Sequence, residues 1–127
     1  MEKQQAMQVL SDFYYNQLGF CGCGNPEDVL LFIKNVLKAI DGRHKTKTDE
    51  QFREDISKAL SLGTSDVYNM DNNRYGLFLF VLQVLDGRRV LTHGGSIGGA
   101  WIDDYGKTLL EAFEVVGDDL EIVFDFE

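Results

Sequence analysis

The sequence predicts a mainly α-helical α+β domain with one small antiparallel hairpin or sheet near its C-terminus. Three observations carry this expectation. Apolar residues recur at helical spacing over most of the chain. Capping residues mark where the helices start and stop. The alternating and hairpin-like strand patterns fall after residue 88. The chain has 127 residues, the length of a single domain, 1–127. At 44% hydrophobic residues it has enough apolar mass for a real core.

The first helix spans roughly 3–17, with Ala6, Val9, Leu10, Phe13 and Tyr14 on one face. Asn25 reads as an N-cap, followed by Pro26 at the first helical position and by Glu27 and Asp28. Val29, Ile33, Val36, Leu37 and Ile40 form the apolar stripe of this second helix, and Gly42 closes it. Thr48 and Gln51 make a capping-box pattern for a third helix lined by Phe52, Ile56, Ala59 and Leu60. Gly63 suits its C′ position, and 64–73 is a polar connector.

The segment 74–86, "RYGLFLFVLQVLD", is apolar on nearly every side. That pattern predicts the buried central helix of the domain, with a buried strand as the competing reading. Two short strands, 89–92 and 100–102, then flank a glycine-rich turn, with Trp101 expected to anchor the hairpin to the core. Asp103 caps a helix through Val116, with Leu109, Leu110 and Phe113 inward and Gly117 at its end. In the tail, Leu120, Ile122, Phe124 and Phe126 alternate with acidic residues, Val123 being the exception. This predicts a C-terminal strand that pairs with the hairpin or with a second copy of the chain in a homodimer.

Charge is distributed unevenly. Net charge is −9, yet residues 103–127 hold nine Asp and Glu against one Lys, while 1–102 is nearly neutral. An acidic face repels phosphate, so nucleic acid is disfavoured as a partner and a basic protein surface is favoured. The expected function is that of a non-enzymatic, cytoplasmic protein-binding module without a cofactor. Its binding residues would be Asp118, Asp119, Glu121 and Asp125, together with His93, Gly94, Gly95 and Ser96 of the glycine loop. The residues Met1–Leu10 lack an apolar signal segment, and the most apolar run is too short to span a bilayer.

Other residue groups could carry chemistry. Both cysteines lie in "GFCGCGN". Gly22 and Gly24 suit a tight turn before Asn25, and Glu27 and Asp28 favour neutral thiols. C-x-C departs from the usual C-x2-C zinc knuckle, so a zinc site would need Cys21, Cys23 and His93 with an open fourth position. The "THGGSIGGAW" loop has neither a Walker pattern nor G-x-S-x-G around Ser96. Arg43, His44, Lys45 and Lys47, with Arg88 and Arg89 elsewhere, form a thin basic signal without interleaved aromatics. Asp103-Asp104 and Asp118-Asp119 read as a cap and a turn.

The order apolar helix, glycine hairpin and "WIDDYGKTLLEAF" resembles the C-terminal part of winged-helix domains. Ile102, Asp103, Gly106, Leu109 and Leu110 occupy the places of that family's L-T-x-x-G-x-x-L-L motif. The resemblance covers about a third of the chain and implies a wing. It would make the protein a DNA binder acting through the hairpin, Arg88 and Arg89. The helix before the wing departs from the family, because 75–85 is apolar where a recognition helix is polar and basic. "GFCGCGNPE" with "LTHGGSIGGAW" also resembles small proteins of bacterial genomes and prophages. That likeness implies an interaction protein of a mobile element, such as an inhibitor of a host system or an immunity protein.

Overall fold

A computed structural model describes residues 1–19, 25–43, 48–61 and 71–124. Among these residues the chain forms five α-helices and one two-stranded antiparallel sheet, as the sequence predicts. The helices are α1 (Lys3–Asp12), α2 (Pro26–Arg43), α3 (Asp49–Ser61), α4 (Asp71–Gly87) and α5 (Asp104–Val116). The strands β1 (Leu91–Thr92) and β2 (Trp101–Ile102) lie between α4 and α5, in register Leu91 to Ile102 and Thr92 to Trp101.

Local signals set most helix ends. The Val29 N–H donates to the Asn25 carbonyl, which closes the first turn of α2 over Pro26. Thr48 Oγ1 accepts from the Gln51 N–H at 3.2 Å, while the Gln51 amide donates onward to Asp55. Asp103 Oδ1 accepts from the Asp104 N–H at 2.8 Å, and Gly117 ends α5 with φ +75°. Helix α2 runs one residue beyond Gly42, to Arg43. Helix α1 passes at Phe13–Gln17 into a π-helical turn, where the Leu18 N–H donates to the Phe13 carbonyl.

The core is organised around α2. Leu30, Ile33, Leu37 and Ile40 bury one stripe, and Val36 and Ala39 widen it. This helix packs against α3 on one side, and against α5, β2 and the final turn of the chain elsewhere. Helix α1 lies along α5. Helix α4 is therefore not the centre that its composition predicts. It packs on α3 and the hairpin through Phe78, Val81, Leu82 and Leu85, while Phe80 is 66% exposed and Gln83 faces solvent. Composition reports how much apolar surface a helix carries. The number of partners a helix meets depends on the packing of the whole chain.

Two further expectations are corrected. Trp101 is 44% exposed, and the hairpin is anchored instead by Ala100 and Ile102. Alternation along β2 sends Trp101 outward once Ile102 turns inward. The C-terminal segment is not a strand over Leu120–Val123 but a 3-10 turn. Its period of three places Leu120 and Val123 together in the core, so Val123, the exception to the alternating pattern, is a core residue. The turn packs on α1 and α2 rather than on the hairpin, and no third strand joins the sheet among the described residues. The strand edge invoked for a homodimer is absent from 120–124, and residues 125–127, with Asp125, lie outside the described residues. No helix among the described residues is long and apolar enough to cross a membrane.

Candidate functional site

The acidic face is built on the end of α5. Along α5 the exposed residues are Asp104, Lys107, Glu111 and Glu114, with Glu111 Oε1 paired to the N-terminal ammonium of Met1 at 3.2 Å. Beyond Gly117, Asp118, Asp119 and Glu121 are exposed as well. This corner has a fixed frame. Lys34 on α2 is only 6% exposed and donates through Nζ to the Gly117 carbonyl at 3.2 Å, with Asp118 Oδ1 at 3.7 Å. Phe124 sits edge-on to Tyr14 at 5.1 Å and to Tyr15 at 6.1 Å between ring centroids. Tyr15 is 43% exposed, so an aromatic surface adjoins the final turn, which carries Glu121.

The glycine loop sits elsewhere. Its His93 pairs through Nδ1 with Asp86 Oδ1 of α4 at 3.0 Å. Gly94, Gly95 and Ser96 are exposed, and Ile97–Gly99 forms a 3-10 turn. The Gly98 carbonyl accepts from Arg43 Nη1 at 2.7 Å. Arg43 also covers the Phe52 ring at 4.6 Å, so this basic residue is engaged in holding α2, α3 and the loop together. Lys34 and Arg43 anchor the acidic corner and the loop at points nine residues apart on one helix. That is about 13 Å along its axis. The two groups of expected binding residues are thus held at separate places on α2.

Asp103 is a structural carboxylate. Besides capping α5, it accepts from Thr92 Oγ1 at 3.2 Å, and its own N–H donates to the Val90 carbonyl at 3.0 Å. Cys21, Cys23, His44, Lys45 and Lys47 lie outside the described residues. Among the described residues no three His, Cys, Asp or Glu side chains converge as metal ligands.

A cleft of about 310 Å³ lies where the π-helical turn meets the end of α4 and the start of α5. Asp12, Gln17, Gly87, Arg88, Arg89 and Tyr105 line it. Arg88 Nε donates to the Gln17 carbonyl at 3.1 Å across the cleft. The Tyr105 hydroxyl is sealed from solvent and has no hydrogen-bond partner among the described residues. Burial, and secondarily the Asp12 charge, push its pKa up to about 12. No sequence pattern pointed to this cleft, because its lining comes from segments far apart in the chain. The dipeptide Arg88-Arg89, directly after a helix end, was its single visible trace.

No known protein family, no curated protein and no solved structure matches this chain. The winged-helix resemblance therefore rests on its motif residues alone.

Proposed function

We propose that the chain is a non-enzymatic protein-binding module whose working surface is the acidic corner formed by Asp118, Asp119 and Glu121. One observation carries the reading. The carboxylates are exposed, yet the backbone that bears them is pinned by the buried Lys34 ammonium on the Gly117 carbonyl. A charged surface on a rigid frame loses little conformational entropy when a partner docks. The neighbouring Tyr15, propped by Phe124, adds the residue type most often found at binding hot spots. Glu114, near the end of α5, adds an exposed carboxylate of the same sign, which would help steer a basic protein toward the corner. The partner is thus a protein with a basic patch, and a host factor met by a mobile-element inhibitor fits that description.

The test is affinity capture from cell extract, comparing the wild type with a variant carrying Asp118→Asn, Asp119→Lys and Glu121→Lys. A stoichiometric partner should be captured at low salt, released as salt rises, and lost with the variant while its helical circular dichroism is unchanged. A second variant, Ser96→Ala with Gly95→Ala, should keep the partner. Capture that persists in the charge-altered variant overturns the assignment.

A further inference from the structure

The cleft between the π-helical turn and the hairpin carries an inference separate from the acidic corner. It begins with the backbone at the end of α4. The Val90 N–H donates to the Leu85 carbonyl at 3.0 Å, and the Arg89 N–H donates to the Asp86 carbonyl at 3.1 Å. Those two bonds are the paired closure of a Schellman motif, with Arg89 at C′. Glycine is the usual residue there, because the position requires left-handed backbone. Arg89 adopts it with φ +65°, and it is the sole non-glycine residue with positive φ among the described residues. A bulky side chain in a glycine position is a local cost that the fold does not need. Such outliers concentrate at functional sites.

The strained residue lines the cleft, and so do the other features that ask for an explanation. The cleft is bounded by Gln17, the last residue of a π-helical turn, a rare element that often marks function. Arg88 commits only its Nε, to the Gln17 carbonyl, which leaves its terminal nitrogens without a partner among the described residues. The Arg89 side chain is exposed and likewise has no partner among the described residues. Tyr105 also lines the cleft, with its hydroxyl closed off from solvent. The lining also holds one carboxylate, Asp12, which accepts from the Asn16 amide at 2.6 Å through Oδ1. The volume, about 310 Å³, falls at the small end of ligand pockets.

We propose that this cleft binds a small zwitterion of the α-amino acid class. The ligand's carboxylate is held by the Arg88 and Arg89 guanidinium groups, and its ammonium faces Asp12. The choice follows from charge. Two guanidiniums select a carboxylate or phosphate, since both offer paired acceptors to a planar fork. The Asp12 carboxylate in the same cleft opposes a dianion and favours a cation beside it. A molecule with both charges a few bonds apart answers both demands. The strain at Arg89 is then tolerated because glycine would relieve it and lose the second guanidinium.

The experiment is a thermal-shift and amide chemical-shift titration of the full chain with the twenty free α-amino acids. Inorganic phosphate and methylamine serve as single-charge probes. The expected result is a saturable upward shift for one or a few amino acids and a far weaker one for either single-charge probe. Arg89→Gly is the decisive variant, because the two roles of Arg89 predict opposite signs. It should raise the melting temperature of the free protein and weaken the amino acid by roughly tenfold or more. Asp12→Asn should weaken the amino acid and strengthen phosphate, because the carboxylate that opposes a dianion is gone. Three results overturn the proposal: no amino acid shifting the protein, phosphate binding as well as every amino acid, or Arg89→Gly binding like the wild type.

Discussion

Gly106 lies directly against the carbonyl of Val90. A Cβ at Gly106 would overlap the Val90 oxygen and come within 2.7 Å of Ile102 Cγ2. The same carbonyl already accepts from the Asp103 N–H, so it cannot swing aside without breaking the link between the hairpin and α5. The glycine is there for closeness and not for an unusual backbone angle. Gly106→Ala should destabilise the protein by about 2–3 kcal/mol, the upper range for overpacking, because the obstruction is backbone. Urea denaturation checks it. A loss below half a kcal/mol would mean that α5 slides away from the hairpin at little cost.

How much of this was legible follows from where each signal lives. Asn25-Pro26, Thr48 and Asp103 announce helix starts because a cap is a contact between residues a few positions apart. The hairpin is legible for the same reason. The placement of α4 is not, since Phe80 and Phe78 are chemically identical and only packing sends one outward. In the tail, Leu120 and Val123 fit a 3-10 turn and Leu120, Ile122 and Phe124 fit a strand, and contact with α1 and α2 decides between them. The acidic corner was visible as a charge count, whereas its Lys34 anchor, 83 positions from Gly117, was not. The cleft needs Asp12, Arg89 and Tyr105 together, and no local pattern predicts that meeting.

Arg43 joins three elements, and its substitution should show this as a local effect. It reaches the Gly98 carbonyl at 2.7 Å and stacks over Phe52, which itself packs edge-on to Phe78 at 5.8 Å. Arg43→Ala should cost about 1–2 kcal/mol, from one hydrogen bond made by a charged donor and one cation–π contact. Arg43→Lys keeps the charge but loses the planar fork and should recover only part of it. Hydrogen exchange should rise first at Gly99 and Ala100, whose N–H groups close the 3-10 turn on the Ser96 and Ile97 carbonyls. Uniform loss of protection across α2 would refute the local role.

Tyr105 links the cleft to pH. Its phenol has a folded pKa of about 12 against 10.0 for the free side chain, through burial first and Asp12 second. Folding therefore favours the protonated hydroxyl. Its contribution to stability is fully present below pH 10 and is lost as pH rises toward 12. Tyr105→Phe should flatten this alkaline limb. At neutral pH it should also stabilise the protein by about 1 kcal/mol, because it removes a buried hydroxyl that has no partner. Denaturation curves at several pH values, read for both proteins, test the two effects together. Destabilisation at neutral pH would show that the hydroxyl has a partner in solution, with a bound water the first to look for.

Lys34 and Asp118 form an ion pair by distance, but the two sides carry unequal weight. Lys34 is buried along its stem and donates to the Gly117 carbonyl at 3.2 Å, whereas Asp118 is fully exposed at 3.7 Å. An exposed carboxylate at that distance is screened by water and salt, so the bond to the carbonyl dominates. Asp118→Asn should leave the denaturation midpoint unchanged at any ionic strength. Lys34→Met keeps the apolar stem but leaves the carbonyl unpaired, and should cost about 1–2 kcal/mol. Lys34→Ala should cost more, because it also removes the buried stem. Salt dependence separates the two partners. A wild-type stability that falls with added salt, together with a destabilised Asp118→Asn, would instead assign the anchoring of the corner to the ion pair.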